Sequence, residues 1–234
     1  MLKPNGVHHL AVSTADIRGQ LDFFTDVLGM ELVALYNMHG LKDARHGFVK
    51  ASPSCYIAFV TMPAIAEIPV EIGKTHAGNG GNPSAPGTMQ HLALNVDTEG
   101  ELLAMRDRIR LKGVNVIGPI NHGFCRSIYF AGPEHLTLEI ATSEQSIDAE
   151  AWIDPEVVAI AGIAPEELER FKHPAPVEAA GGRVAQPPAN PAKPHMVMPP
   201  DHYRAVLAMS DQEFSAQADY PDPPVKTAAA SLAS

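Results

Sequence analysis

Gly6-Val7-His8-His9-Leu10-Ala11-Val12 and Thr88-Met89-Gln90-His91-Leu92-Ala93-Leu94 are two copies of one pattern, and their repetition decides the fold. In each copy large apolar residues (Leu10, Val12; Leu92, Leu94, Val96) alternate with a histidine, an alanine and a small polar residue (His9, Ala11, Ser13; His91, Ala93, Asn95). Successive side chains along a strand point to opposite faces. Each copy is therefore predicted to be a short strand with one apolar face and one face carrying a histidine among small neighbours. A third stretch has the same character, with Leu136, Leu138 and Ile140 on one side and Thr137, Glu139 and Ala141 on the other.

Outward from these strands the chain repeats itself. After the first, Thr14-Ala15-Asp16 supplies helix-capping side chains, and Ile17, Leu21, Phe24, Val27 and Leu28 recur at helical spacing before Gly29. Extended pieces are predicted at 30–36, 47–50 and 55–61, closed by Pro63. Residues 64–87 crowd glycine and proline into a polar run, which reads as a linker or a loop over a site. The pattern restarts with a strand over 90–96 and the capping box Thr98-Glu99-Gly100-Glu101, followed by a helix whose inner face is Leu102, Met105, the Arg106 stem and Ile109, stopped by Gly113. Strands are predicted at 114–117, 127–130 and 136–141, the last two joined by a turn at Gly132-Pro133-Glu134. The expected architecture is α+β. Two paired βαβββ modules, 6–63 and 88–146, occupy a domain of residues 1–146 and form a cupped sheet around a metal cleft, with helices outside and the histidine faces turned in.

From residue 147 the composition shifts: thirteen of the chain's 21 prolines lie between Asp148 and Ser234. Residues 147–234 are predicted to be an irregular, Pro-rich C-terminal extension with short helices at 165–171 and 202–209. It either lies over the domain or a partner subunit, or brings Trp152, His195, His202 and Tyr203 to one side of the cleft.

A formal charge of −10 and a pI near 5.5, with no run of more than two basic residues, argue against nucleic-acid binding. Cys55 and Cys125 are too few for a disulfide framework, no signal-like apolar run opens the chain, and no segment approaches the roughly 20 apolar residues of a membrane span. The expectation is a cytoplasmic protein whose partner is a small molecule, without nucleic acid or membrane.

His9, His91 and Glu139 form a candidate metal site. They stand 82 and 48 residues apart, so no local motif unites them, and a lone strand histidine is ordinarily a satisfied core residue. Their shared position on the small-residue faces of corresponding strands raises the metal reading. Two neutral imidazoles and one carboxylate leave coordination positions open, which suits Fe(II) and also accommodates Mn, Co, Ni or Zn. His8 and Gln90 alternate with the ligands and are expected on the opposite faces. His39, His46 and His76 lie in predicted loops within reach of the cleft.

The doubled module order, the two His-Leu-Ala strands, Val27-Leu28-Gly29 at the helix end, and Tyr129-Phe130-Ala131-Gly132-Pro133 leading to Leu138-Glu139-Ile140 resemble the vicinal oxygen chelate superfamily. That group holds glyoxalases, bleomycin and fosfomycin resistance proteins and extradiol dioxygenases, and the resemblance covers residues 6 to about 143. It implies metal ligands at His9, His91 and Glu139 and suggests a homodimer. Glyoxalase-like isomerases commonly take a fourth ligand from the closing strand of the first module; Cys55-Tyr56-Ile57-Ala58-Phe59-Val60-Thr61 offers none, which favours a three-ligand site.

Asn121-His122-Gly123-Phe124-Cys125-Arg126-Ser127-Ile128-Tyr129, followed by Pro133 and Glu139, resembles the extradiol signature, with departures at Gly132 and His135. The acid/base histidine that extradiol enzymes carry between the second ligand and this signature has no counterpart from Leu92 to Asn121. The resemblance implies a non-haem Fe(II) extradiol-type dioxygenase acting on a catechol-like or other vicinal-oxygen molecule, with His122 as proton donor and Tyr129 as hydrogen-bond donor. Arg126 is a candidate partner for an anionic substrate group. One rival is a metal-dependent isomerase or lyase of glyoxalase or epimerase type, with Glu67 or Glu71 as base. Another is a resistance protein that sequesters its ligand without chemistry.

Overall fold

In a computed structural model that describes residues 2–225, the repeat is realised as two four-stranded mixed sheets. The last nine residues of the predicted extension lie outside the described residues. Strand β1 (His9–Ser13) leads to α1 (Ile17–Asp22), which runs on as a π-helical stretch, Phe23–Val27. Strands β2 (Glu31–Asn37), β3 (Arg45–Ser52) and β4 (Cys55–Thr61) follow, in the sheet order β1-β4-β3-β2. A short helix α2 (Pro63–Ala66) opens the linker. The second module repeats the plan with β5 (Leu92–Val96), α3 (Glu99–Leu111), β6 (Ile117–Asn121), β7 (Arg126–Ala131) and β8 (Thr137–Thr142), ordered β5-β8-β7-β6. In each sheet the first strand pairs in parallel with the last, Ala11 opposite Ala58 and Ala93 opposite Glu139, and the remaining pairs are antiparallel.

Capping fixes where the helices begin. Asp16 accepts from the backbone N–H of Gly19 at 2.9 Å, and Thr98 and Glu101 close the expected capping box. Gly29 ends the first helical run at φ +78°, and the Arg108 guanidinium lies within 2.9 Å of where a β-carbon would stand. That guanidinium donates to the carbonyls of Val27 and Asp26, both at 2.8 Å, placing a cation at the end of the helical dipole.

The two modules share one core. Phe24, Val49, Ile57 and Phe59 from the first and Leu102, Ile109, Ile128, Leu138 and Ile140 from the second belong to a single apolar cluster, and Phe23 stacks on Phe130 across the boundary at 6.5 Å. Each fully buried side chain of this size contributes about 1.5–3 kcal/mol. Leu10, Val12, Leu92 and Leu94 pack against the same cluster. The alternate positions, those of His9 and His91, therefore turn away from the shared core on both sheets. Lys112 pairs with Asp26, and the Glu134 carboxylate accepts from Thr14 Oγ1 at 2.5 Å, Ala15 N at 2.8 Å and Gln20 Nε2 at 2.8 Å, so charge and hydrogen bonds add to the apolar seam.

Beyond β8 come α4 (Ala149–Trp152), α5 (Pro155–Ile160) and α6 (Pro165–Lys172), then α7 (Pro200–Ala208) and α8 (Asp211–Gln217). The chain divides into two compact units. One is Pro4–Pro174, which takes in both modules and α4–α6; the other is built chiefly from the described residues after Pro174. Among the described residues no helix is long and apolar enough to cross a membrane.

Candidate metal centre

His91 immediately precedes β5, and Glu139 is the third residue of β8, the neighbouring strand. Parallel pairing of Ala93 with Glu139 brings the two functional side chains to one face, where His91 Nε2 lies 2.9 Å from Glu139 Oε2. Glu139 is only 5% exposed. Tyr129, opposite it on β7, interacts with it by hydrogen bond and charge. Burial first, and then the adjacent Glu139 carboxylate, push the Tyr129 phenol up to about 12, so it stays protonated and acts as a donor. His122, in the β6–β7 turn, places Nε2 3.1 Å from the Tyr129 hydroxyl.

Gln90, expected on the opposite face from His91, instead bonds it directly: Gln90 Oε1 contacts His91 Nδ1. Gln90 Nε2 donates to the backbone oxygens of Asn79 at 3.2 Å and Asn82 at 3.1 Å. With the amide nitrogen committed to two carbonyls, its oxygen is an acceptor, so His91 Nδ1 carries a proton, and in the neutral ring Nε2 presents a lone pair. That lone pair faces a carboxylate oxygen at 2.9 Å. Two acceptors this close require a positive charge, a second proton or a metal ion, and imidazole with carboxylate is a donor set for divalent cations. His91 and Glu139 thus fit a metal.

His91, His122 and Tyr129 line a cavity of about 660 Å³ on the open face of the second sheet, with Glu139 beside them. Its walls are apolar at Ile117, Ile120 and Phe130, and the glycine-rich loop Gly78-Asn79-Gly80-Gly81 forms one side. Residues 78–81 of the linker thus lie against this cavity. Glu67 and Glu71 do not line this cavity; Glu71 pairs with Lys74 and orders its own turn. Arg126 is bound to Glu99 at 2.6 Å, an arrangement that does not hold it ready for an anionic substrate.

His9 belongs to the other sheet. Its ring packs on Phe48 at 5.5 Å and on His8 at 5.2 Å, with their Nδ1 atoms 2.9 Å apart. His8 does not face away from it; it stays beside it, tilted on Tyr56. His46, predicted in a loop, lies in β3 against Phe48 at 4.3 Å, and burial, then the neighbouring His9, hold its imidazole below the usual value. His76 bonds Thr75, and the His39 ring lies 6.0 Å from that of Tyr36. Among the described residues of a single chain no three His, Cys, Asp or Glu side chains are grouped so as to hold a metal ion. His9 is thus not brought to His91 and Glu139 within the described residues of one chain.

Trp152 packs edge-on against Phe124 at 4.9 Å, on the turn that carries His122. His195 and Tyr203 meet each other, at 6.3 Å, in the second unit. Neither Gln90 nor Trp152 carries a usable signal in the sequence: alternation assigns the first to the wrong face, and the second is one of four candidates on an irregular extension.

The model of the Glyoxalase/Bleomycin resistance protein/Dioxygenase superfamily matches residues 6–140. Biphenyl-2,3-diol 1,2-dioxygenase 2 of Rhodococcus globerulus is 28% identical over 143 residues, 61% of this chain; the chain spans 65% of the length of that relative. Among solved structures, the antibiotic-binding protein TnmS3 from Streptomyces sp. CB03234 aligns at 20% identity over 62% of this chain and 100% of its own, with a TM-score of 0.44. A glyoxylase/bleomycin resistance protein/dioxygenase domain from Frankia sp. EAN1pec aligns at 12% identity over 61% and 100%, with a TM-score of 0.47.

Proposed function

The chain belongs to the glyoxalase/bleomycin resistance protein/dioxygenase superfamily, and from that premise we propose that it is a metal-dependent dioxygenase of extradiol type acting on a catechol-like small molecule. The observation that carries this reading is the convergence of the His91 lone pair on the buried Glu139 carboxylate, beside a protonated Tyr129 and His122 in one apolar-walled cavity. The diol substrate in the name of the Rhodococcus relative supports the substrate class.

The metal would be held by His91, Glu139 and His9, the last supplied by a second copy of the chain. The shared core supports this arrangement. It turns the His9 and His91 faces outward, and it leaves β1 and β5 as sheet edges with Ala11, Ser13, Ala93 and Asn95 exposed beside the histidines. In a two-fold dimer the first module of each protomer meets the second module of its partner, an isologous contact that creates two equivalent centres. Fe(II) is the favoured ion; bound, it lowers the pKa of a coordinated substrate oxygen and polarises the adjoining fragment.

The chain's own groups supply the rest. Ile117 and Ile120 offer apolar contact to the ring. Tyr129 donates its hydroxyl proton in a hydrogen bond to a substrate oxygen, and His122 exchanges a proton at the same oxygen. Glu139 and Gln90 hold the His91 imidazole in its plane. Anaerobic reconstitution with Fe(II), followed by oxygen-electrode assays with catechol and biphenyl-2,3-diol, tests the reading. One O2 consumed per diol is expected. Turnover without O2 uptake moves the chemistry to an isomerase or lyase, and tight binding without turnover moves the protein to ligand sequestration.

A further inference from the structure

We propose that Gln90 is a positioning residue that couples the glycine-rich loop 78–82 to the coordinating nitrogen of His91. For its bearing on metal affinity this rests on the metal reading above; for the state of the imidazole it does not.

The Gln90 side chain is used at both ends. Its amide nitrogen binds the Asn79 and Asn82 carbonyls, and its oxygen meets His91 Nδ1. Turning the amide over would set its oxygen against two carbonyl oxygens and its NH2 against the Nδ1 proton. The loop therefore dictates the orientation of the amide, the amide dictates the tautomer, and the tautomer leaves Nε2 free to coordinate. Within itself the loop is held by Asn79, whose Oδ1 accepts from Gly81 N at 2.8 Å and whose carbonyl lies 3.4 Å from Asn82 N. Gly80 rests on the Tyr129 ring, where a β-carbon would stand 3.6 Å from Cε1, so the loop that Gln90 holds is also a wall of the cavity. Loop packing over the substrate space and the readiness of His91 to bind a cation become one equilibrium.

Two substitutions separate the ends of the amide. Gln90→Leu removes both; Gln90→Glu keeps an acceptor for Nδ1 and loses the donors to the loop. In the full-length, metal-free protein, imidazole 15N shifts report the His91 tautomer, with His91→Gln to assign the signal, and deuterium exchange reports the loop. At a pH above the range in which imidazoles are protonated, wild type is expected as the Nδ1–H form with a protected loop. Gln90→Glu is expected to keep the tautomer and lose the protection, and Gln90→Leu to lose both while the exchange of β5 and β8 stays slow. Mn(II) affinity is then expected to fall about 10–100-fold in Gln90→Leu, with a smaller loss in Gln90→Glu. An unchanged tautomer and loop exchange in Gln90→Leu overturns the proposal. Failure of the wild-type protein to bind Mn(II) would overturn the metal reading instead, while the tautomer and exchange data would still decide the role of Gln90.

Discussion

At the scale of single residues the chemistry rests on how few groups are shared. Tyr129 is the clearest case, because its phenol is raised to about 12 by burial and by the carboxylate beside it, against about 10 for an exposed tyrosine. In metal-free protein, an absorbance titration compared between wild type and Tyr129→Phe should show the missing phenol as one that ionises last, near 12. A missing step near 10 would mean that neither burial nor the Glu139 carboxylate acts on it. Glu134 works in the opposite direction. Burial alone would raise its carboxyl, but hydrogen bonds from Thr14, Gln20 and the Ala15 backbone outweigh that and hold it below 4.5. A depressed carboxyl stabilises the fold fully above pH 4.5, and that contribution is lost as pH falls through the lowered value. Glu134→Ala also leaves the buried Thr14 hydroxyl without this partner, so chemical unfolding at pH 7 should show a loss of about 1–3 kcal/mol that shrinks below pH 4.5. An equal loss at both pH values would remove the charge from the explanation.

At the scale of elements, the order strand, helix, three strands was legible twice over, because alternation of period two and a helical run with a cap and a glycine stop are local properties. The Thr98 box is an instance: all its partners lie within three residues. Strand β6 was not legible. The sequence predicts a strand at 114–117, yet β6 starts at Ile117 and runs through Gly118 and Pro119 as the outer strand, where a missing N–H costs no ladder bond and the register is irregular between Ile117 and Ile120. The β6–β7 turn shows what an extension outside the repeated modules can do. Gly123 has φ +88°, and a β-carbon there would meet Trp152 Cζ2 at 2.5 Å. Gly123→Ala is expected to cost about 1–3 kcal/mol in unfolding free energy. It should also shift the emission of the chain's single tryptophan; an unchanged spectrum would mean that α4 does not brace this turn.

At the scale of the molecule, alternation places each candidate ligand on one face of its own strand and does not say which module meets which. Alternation is a property of one strand, whereas the pairing of modules is decided by Phe23 on Phe130, Arg108 on the Val27 carbonyl and Glu134 on Thr14, contacts 81 to 120 residues apart for the polar ones. Those contacts join the helix-bearing sides and send His9 and His91 outward, which is why the proposed centre needs a second copy to complete it. The most direct test uses two differently tagged chains, one His9→Ala and one His91→Ala, expressed together and isolated as the mixed dimer. Neither variant alone should bind Mn(II) tightly. The mixed dimer unites both defects in one centre and leaves the other whole, so about half the wild-type metal content is predicted. A monomeric protein, or a mixed dimer that binds no more metal than either parent, would contradict the shared centre.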